Sequence, residues 1–238
     1  MEKHRIRDEF VSAFTSLVID HGSRDISVVD LTRCVGCSRK TFYRYFDDLD
    51  DLVIWKYRAA MLEVLRNQVP GAIWVAPDAS LCDKYPDVPF YARIIMPDGS
   101  LDESLYMYGS ACHFENNAEY YCVLFNDPCV KYRDFRRYLR NLYVPAIRGD
   151  IEAMLRGRIV PSGHIQFLCE YHACALVARL NQFICEEHGM MSKEDELHWN
   201  YTHQAIYRDL ETYFSQAHSV KPLDGGPADP AQRIARMF

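Results

Sequence analysis

The sequence predicts an all-α protein, and three observations predict it. Apolar residues recur at helical spacing through most long segments. Cap and stop residues (Ser27 with Asp30, Gly36, Ser38, Asp48, Pro70-Gly71, Pro161 with Gly163, Gly189) punctuate those segments where helices should begin or end. The composition, 49% hydrophobic and 25% charged over 238 residues, suits a globular chain with a sizeable core. The expected organisation is a small helical bundle over 1–68, a larger helical domain over 69–218, and a flexible tail over 219–238.

In order, Ile6, Phe10, Phe14, Leu17 and Val18 mark the inner face of a first helix that Gly22 ends. Ser27, with Asp30 three residues on, opens a second helix that turns Leu31 and Val35 inward. Gly36 supplies a tight turn. Ser38 caps a third helix, with Phe42 and Phe46 one turn apart and inward. Asp48 caps a fourth, running through Leu52, Trp55 and Leu62 to about Asn67. Residues 69–100 hold five prolines and two glycines, a density that forbids a long helix and predicts an irregular connection with at most short elements. Helices then resume at about 101–114, 117–126, 129–156, 164–188 and 193–215, the last with a capping signature at Ser192 and Asp195.

Charge is unevenly spread. Residues 1–68 balance 11 Lys+Arg against 11 Asp+Glu, so the net −6 of the chain lies beyond them. Within 24–46, five basic residues face only Asp25 and Asp30. A local basic patch on a neutral unit suits DNA contact. Two short helices around a glycine turn, after a longer supporting helix, form a helix–turn–helix. Arg39, Lys40, Tyr43 and Arg44 share the exposed face of its second helix, the face this motif lays in the major groove.

The stretch "ISVVDLTRCVGCSRKTFYRYFDDLDDLV" resembles the N-terminal DNA-binding segment of TetR-family transcriptional regulators over about residues 5–60. The segment "TFYRYFDDLDDLVIW" is most similar to the branch related to the regulator of dihydroxyacetone kinase operons. The resemblance implies that Arg39, Lys40 and Tyr43 read base edges, and that Thr41 and Tyr45 contact phosphate. Arg44 is a further phosphate candidate, and Ser27 and Ser38 stand at the two helix starts that face the backbone. It departs from the wider family at Leu49, where a Lys commonly touches phosphate. Asp47, Asp48, Asp50 and Asp51 start the fourth helix: carboxylates there cap free N–H groups and oppose the positive helix end.

Two cysteines at Cys34 and Cys37 have metal-like spacing, but no second pair exists, so they are read as packing residues. An odd total of nine cysteines, no secretory leader in "MEKHRIRDEF" and no apolar run near 18 residues point to a cytoplasmic protein with reduced thiols. His172, on the stripe Leu168, His172, Leu176, Leu180, is read as interior. No nucleophile–base pair, phosphate loop or paired-carboxylate site appears, so neither an enzyme nor a cofactor or metal is expected. The resemblance implies a regulator, expected as a repressor, that binds operator DNA as a homodimer through its last two long helices and is released by a small-molecule effector. A shifted fourth helix would then move the recognition helices off their spacing of about 34–36 Å. The candidate effector residues are the aromatics Tyr106, His113, Tyr120, Tyr121, Phe125, Phe167 and Tyr171. The rival reading is a coactivator of the same fold that works through a protein partner.

Overall fold

The computed structural model describes residues 2–22, 26–81, 83–126, 133–191 and 200–219. The N-terminal bundle comprises α1 (Glu2–His21), α2 (Val28–Val35), α3 (Arg39–Phe42) and α4 (Leu49–Gln68). Phe10, Phe14 and Val18 of α1 are fully buried, as are Leu31 and Phe42. The Phe10 ring meets Phe42 edge-on at 5.3 Å and Phe46 at 6.2 Å, which locks α3 onto α1. The glycine turn works as the sequence predicts: Gly36 is left-handed (φ 70°) and its N–H returns to the last carbonyls of α2. The Ser27 hydroxyl and the Asp30 carboxylate satisfy each other's backbone N–H groups in a full capping box.

Regular α3 ends at Phe42, earlier than the sequence suggests. Tyr43 and Phe46 still bond back four residues, to Arg39 and Phe42, while Arg44 and Tyr45 bond back three, so the coil tightens before α4. At α4, Asp48 accepts the Asp51 N–H at 2.8 Å and Asp51 accepts the Asp47 N–H at 2.8 Å. The acidic run is therefore a helix start.

Residues 69–100 carry short elements, as the sequence predicts. β1 (Ile73–Val75) pairs antiparallel with β2 (Tyr91–Arg93), with Trp74 opposite Ala92, and a 3₁₀ turn spans Ala79–Leu81. Helices then follow as α5 (Ser104–Glu115), α6 (Ala118–Asn126), α7 (Arg133–Leu155), α8 (Ser162–Cys185) and α9 (Tyr201–Ser219). α5 begins after Leu101, not at it, because Leu101 bridges Ile95 in the manner of a strand. Pro145 lies inside α7, which persists through it despite the missing donor because the helix packs along α8. Gly189 (φ 69°) closes the end of α8, its N–H bonding the Phe183 carbonyl at 2.8 Å. The Ser192–Asp195 capping signature and the tail beyond 219 lie outside the described residues.

One apolar cluster runs from Phe10 to Leu210. α4 leaves the bundle to pack on α5 and α7, and α6 bridges α1 to α8. Among the described residues no helix is long and apolar enough to cross a membrane.

Candidate functional site

The tight turn and Ser38 cap set the basic face. Arg39, Lys40, Tyr43 and Arg44 are exposed together on one turn, and Tyr43 keeps 56% of its surface open. Among the described residues, no ion pair ties down Arg39, Lys40 or Arg44, whereas Arg33 is spent on Asp30 at 3.4 Å. Ser38 accepts the Thr41 N–H at 3.2 Å and shares a proton with the Thr41 hydroxyl at 3.0 Å. Ser27 gives its hydroxyl to Asp30 at 2.5 Å. Both serines thus hold helix starts. Tyr45 is half-buried under the Arg7 guanidinium, which also stacks 4.4 Å from the Trp55 ring centre. Its place is the joint between α1 and α4. Cys34, read as a packing residue, is exposed on α2; Cys37 is half-buried, and burial, then Glu9, pushes its thiol up.

The candidate effector residues separate into three groups. Tyr106 lines a cavity of about 130 Å³ between α5 and α8, with Ser110, Phe114, Tyr143, Leu180 and Met191. Tyr120, Tyr121 and Phe125 are buried in an aromatic pack with Phe14 and Phe135. Phe167 (61% exposed) and Tyr171 (58%) stack on each other at 5.8 Å on the outer face of α8. The stripe Leu168, His172, Leu176, Leu180 turns inward instead. The cavity reaches α4 by hydroxyls: Tyr106 to Tyr143 at 2.8 Å, then Tyr143 to Tyr57 of α4 at 2.9 Å. Gly109 lets α5 lie this close, since a Cβ there would stand 2.7 Å from Val64 and 2.8 Å from Gln68.

His113 sits behind the cavity wall, its Nε2 2.9 Å from the Tyr121 hydroxyl. Burial, then the nearby Lys56 charge, lowers its pKa from 6.5 to about 4. Between those values the unfolded chain binds a proton that the folded chain refuses. Stability should therefore fall by about 2–3 kcal/mol as pH drops from 6.5 to 4. Urea midpoints at pH 7 and pH 4.5 check this: His113→Gln should lose less between them than the parent chain.

No family model matches the chain, and no curated protein does. Among solved structures, the fatty acid degradation regulator FadR from Bacillus halodurans is similar, with a TM-score of 0.50 over 85% of this chain and 94% of that one at 11% identity. The chain has a TetR-type fold. The dihydroxyacetone kinase operon activator DhaS covers 87% of this chain and 97% of its own at 14% identity and a TM-score of 0.49. NalD, the secondary repressor of the MexAB-OprM multidrug efflux pump in Pseudomonas aeruginosa, covers 86% and 96% at 13% identity and 0.46.

Within this TetR-type fold the segment 83–90 grips α4 through contacts the sequence reading missed. Lys84 bridges Asp47 at 2.6 Å and Asp51 at 2.5 Å. Burial lowers the Lys84 pKa, but the two carboxylates outweigh it and hold the ammonium charged. The Tyr85 hydroxyl donates to Asp51 at 2.6 Å, and its ring meets Trp55 at 5.1 Å. Arg58, fully buried on α4, reaches Asp83 at 3.2 Å, the Tyr138 hydroxyl at 3.1 Å and the Tyr85 carbonyl at 3.2 Å. A cation therefore does stand at the start of α4, supplied by Lys84, but it is paired within the chain. Nothing local in sequence announces it.

Proposed function

We propose that the chain is a one-component transcriptional regulator, in which residues 1–68 bind operator DNA and residues 69–218 dimerise and sense a small molecule. The observation that carries the reading is the gathering of Arg39, Lys40, Tyr43 and Arg44 on a single exposed turn behind a capped glycine turn. Cations that no ion pair neutralises among the described residues are matched by a phosphate backbone, and Arg or Lys can donate to guanine O6 and N7. Arg39, Lys40 and Tyr43 project from the early part of the turn and act on base edges. Arg44, Thr41 and Tyr45 lie toward the flanks and act on phosphate, with the helix starts at Ser27 and Ser38.

The effector cavity proposed is the space between α5 and α8 beside Tyr106 and Tyr143, and the hydroxyl chain to Tyr57 is the route by which its occupant would bias α4. Dimerisation is proposed through α8 and α9, with the outer face of α8 as its centre. Phe167, Tyr171, Cys174, Ala175 and Ala178 are open there, large at one end and small at the other.

A gel shift on the chain's own upstream DNA, run across a salt series, tests the reading. Arg39→Ala should lose about 1–3 kcal/mol on the best site and discriminate less at one base pair. Arg44→Ala should weaken all sequences alike and flatten the salt slope by about one unit. If no DNA affinity responds to either change, the recognition turn is idle and a protein partner must carry the activity.

A further inference from the structure

Five polar side chains, from three elements and the residue before α5, meet in the core. Tyr91 and Arg93 come from β2, Glu103 precedes α5, Asp150 lies in α7 and His203 in α9. The side chains of Asp150, His203 and Glu103 are 0%, 1% and 8% exposed. The Tyr91 hydroxyl is 2.9 Å from Asp150 Oδ2 and 3.2 Å from His203 Nε2, and Nε2 is 2.8 Å from the same Oδ2. Glu103 Oε1 closes against the Tyr91 hydroxyl as well.

Hydrogen bonds alone do not account for this packing. Four close contacts join Tyr91, Glu103 Oε1, Asp150 Oδ2 and His203 Nε2, yet with both carboxylates ionised only the hydroxyl and a protonated Nε2 bring a proton to them. The Nε2 proton can be shared between Asp150 Oδ2 and the Tyr91 oxygen, but the single hydroxyl proton serves only one of the two carboxylates it touches and leaves the other oxygen pair facing lone pair to lone pair. Nδ1 of His203, wholly buried, faces Glu103 Oε2 without hydrogen-bond geometry. A cation bound at about 2.1 Å by each ligand in octahedral geometry would set neighbouring ligands about 3 Å apart, the spacing found in the Tyr91–Asp150–His203 triangle. Arg93 completes the pattern from outside: its Nε donates at 2.5 Å to Oδ1 of Asp150, the oxygen not in the triangle, and Nη2 reaches the Ala146 carbonyl at 3.2 Å. Partners of that kind orient ligating carboxylates.

We propose that Glu103, Asp150 and His203, with the Tyr91 hydroxyl, form a binding site for one first-row divalent cation. One imidazole nitrogen with carboxylate and hydroxyl oxygens suits the Zn²⁺ and Mn²⁺ class better than Ca²⁺ or Cu⁺. The bound ion would join α5, α7 and α9 to β2. Because β2 runs directly on from the segment 83–90 that grips α4, occupancy would stiffen the link between the larger domain and the basic turn.

The test uses the full chain, stripped with chelator and kept reduced, titrated calorimetrically with Zn²⁺ and separately with Mn²⁺. One equivalent should bind saturably and raise the melting temperature. Glu103→Gln should weaken binding about 100-fold and Tyr91→Phe about 10-fold, each with an unchanged circular dichroism spectrum. The double variant Cys34→Ser, Cys37→Ser should bind as the parent does, which separates this site from adventitious thiolate binding. Absence of saturable binding to the parent chain overturns the proposal. So does an affinity unchanged in Glu103→Gln or, should that variant not fold, in Tyr91→Phe; the cluster is then an ion network held by protons alone.

Discussion

Asp83→Ala is expected to destabilise the folded chain by about 3–5 kcal/mol, because it strands a guanidinium that no solvent reaches. Arg58 is 0% exposed and Asp83 is its one charged partner among the contacts described, at 3.2 Å. The acceptors left behind, the Tyr85 carbonyl and the Tyr138 hydroxyl, carry no charge, and Nε of Arg58 already lacks a hydrogen bond. The pair itself need not be net stabilising, since desolvating two ions offsets most of their attraction. Arg58→Met with Asp83→Leu should therefore recover most of the loss, which separates a stranded charge from a mere loss of packing. Urea unfolding with an unchanged slope provides the measurement. A single variant within about 1 kcal/mol of the parent would mean that water enters to solvate Arg58, and the grip of 83–90 on α4 would be looser than its geometry implies.

What the sequence makes legible here is what acts over three or four residues. The capping box of Ser27 and Asp30, the left-handed Gly36, the Ser38 cap and the acidic start of α4 are each complete within one helical turn, so spacing alone exposes them. The basic face follows for the same reason. Contacts made across long loops leave no such trace. Lys84 and Asp51 are 33 residues apart, Arg58 and Asp83 are 25 apart, and an irregular segment has no periodicity to show which side chains it turns inward. The aromatics show a different limit. Tyr120, Tyr121 and Phe125 fill core, Tyr106 lines a cavity and Phe167 and Tyr171 face outward, yet all are apolar rings at helical spacing. On α8, Leu168 and His172 are buried while Phe167 and Tyr171 beside them are open, so its apolar residues encircle much of the helix and no single stripe identifies the core side. Glu103, Asp150 and His203 are separated by about fifty residues at each step, and only the fold brings them together.

Tyr171→Asp should turn a dimer into a monomer and, with it, abolish tight operator binding. In the proposed two-fold interface the same residue is lost from both copies, so a truncation worth about 2 kcal/mol at an aromatic anchor counts twice. A carboxylate adds a desolvation cost to each side. A combined loss of about 4 kcal/mol or more raises the dimer dissociation constant roughly a thousandfold. The small residues Cys174, Ala175 and Ala178 further along the same face allow two helices to approach to about 8–10 Å, so the aromatic pair Phe167 and Tyr171 should act as the anchor of the contact. The fold itself should be indifferent: with 58% of Tyr171 exposed, the change should fall within about 0.5 kcal/mol of the parent in monomer stability. DNA affinity should fall much further than any single recognition-turn change can produce. A monomer engages one half-site and forfeits the effective concentration that the second half-site supplies, a factor of about 10²–10⁴. Light scattering at micromolar concentration reads the assembly, and the gel shift reads the consequence. If Tyr171→Asp stays dimeric and still binds operator as the parent does, the outer face of α8 is not the dimer interface. If it becomes monomeric while DNA affinity holds, the basic turn works alone and the dimer serves the effector.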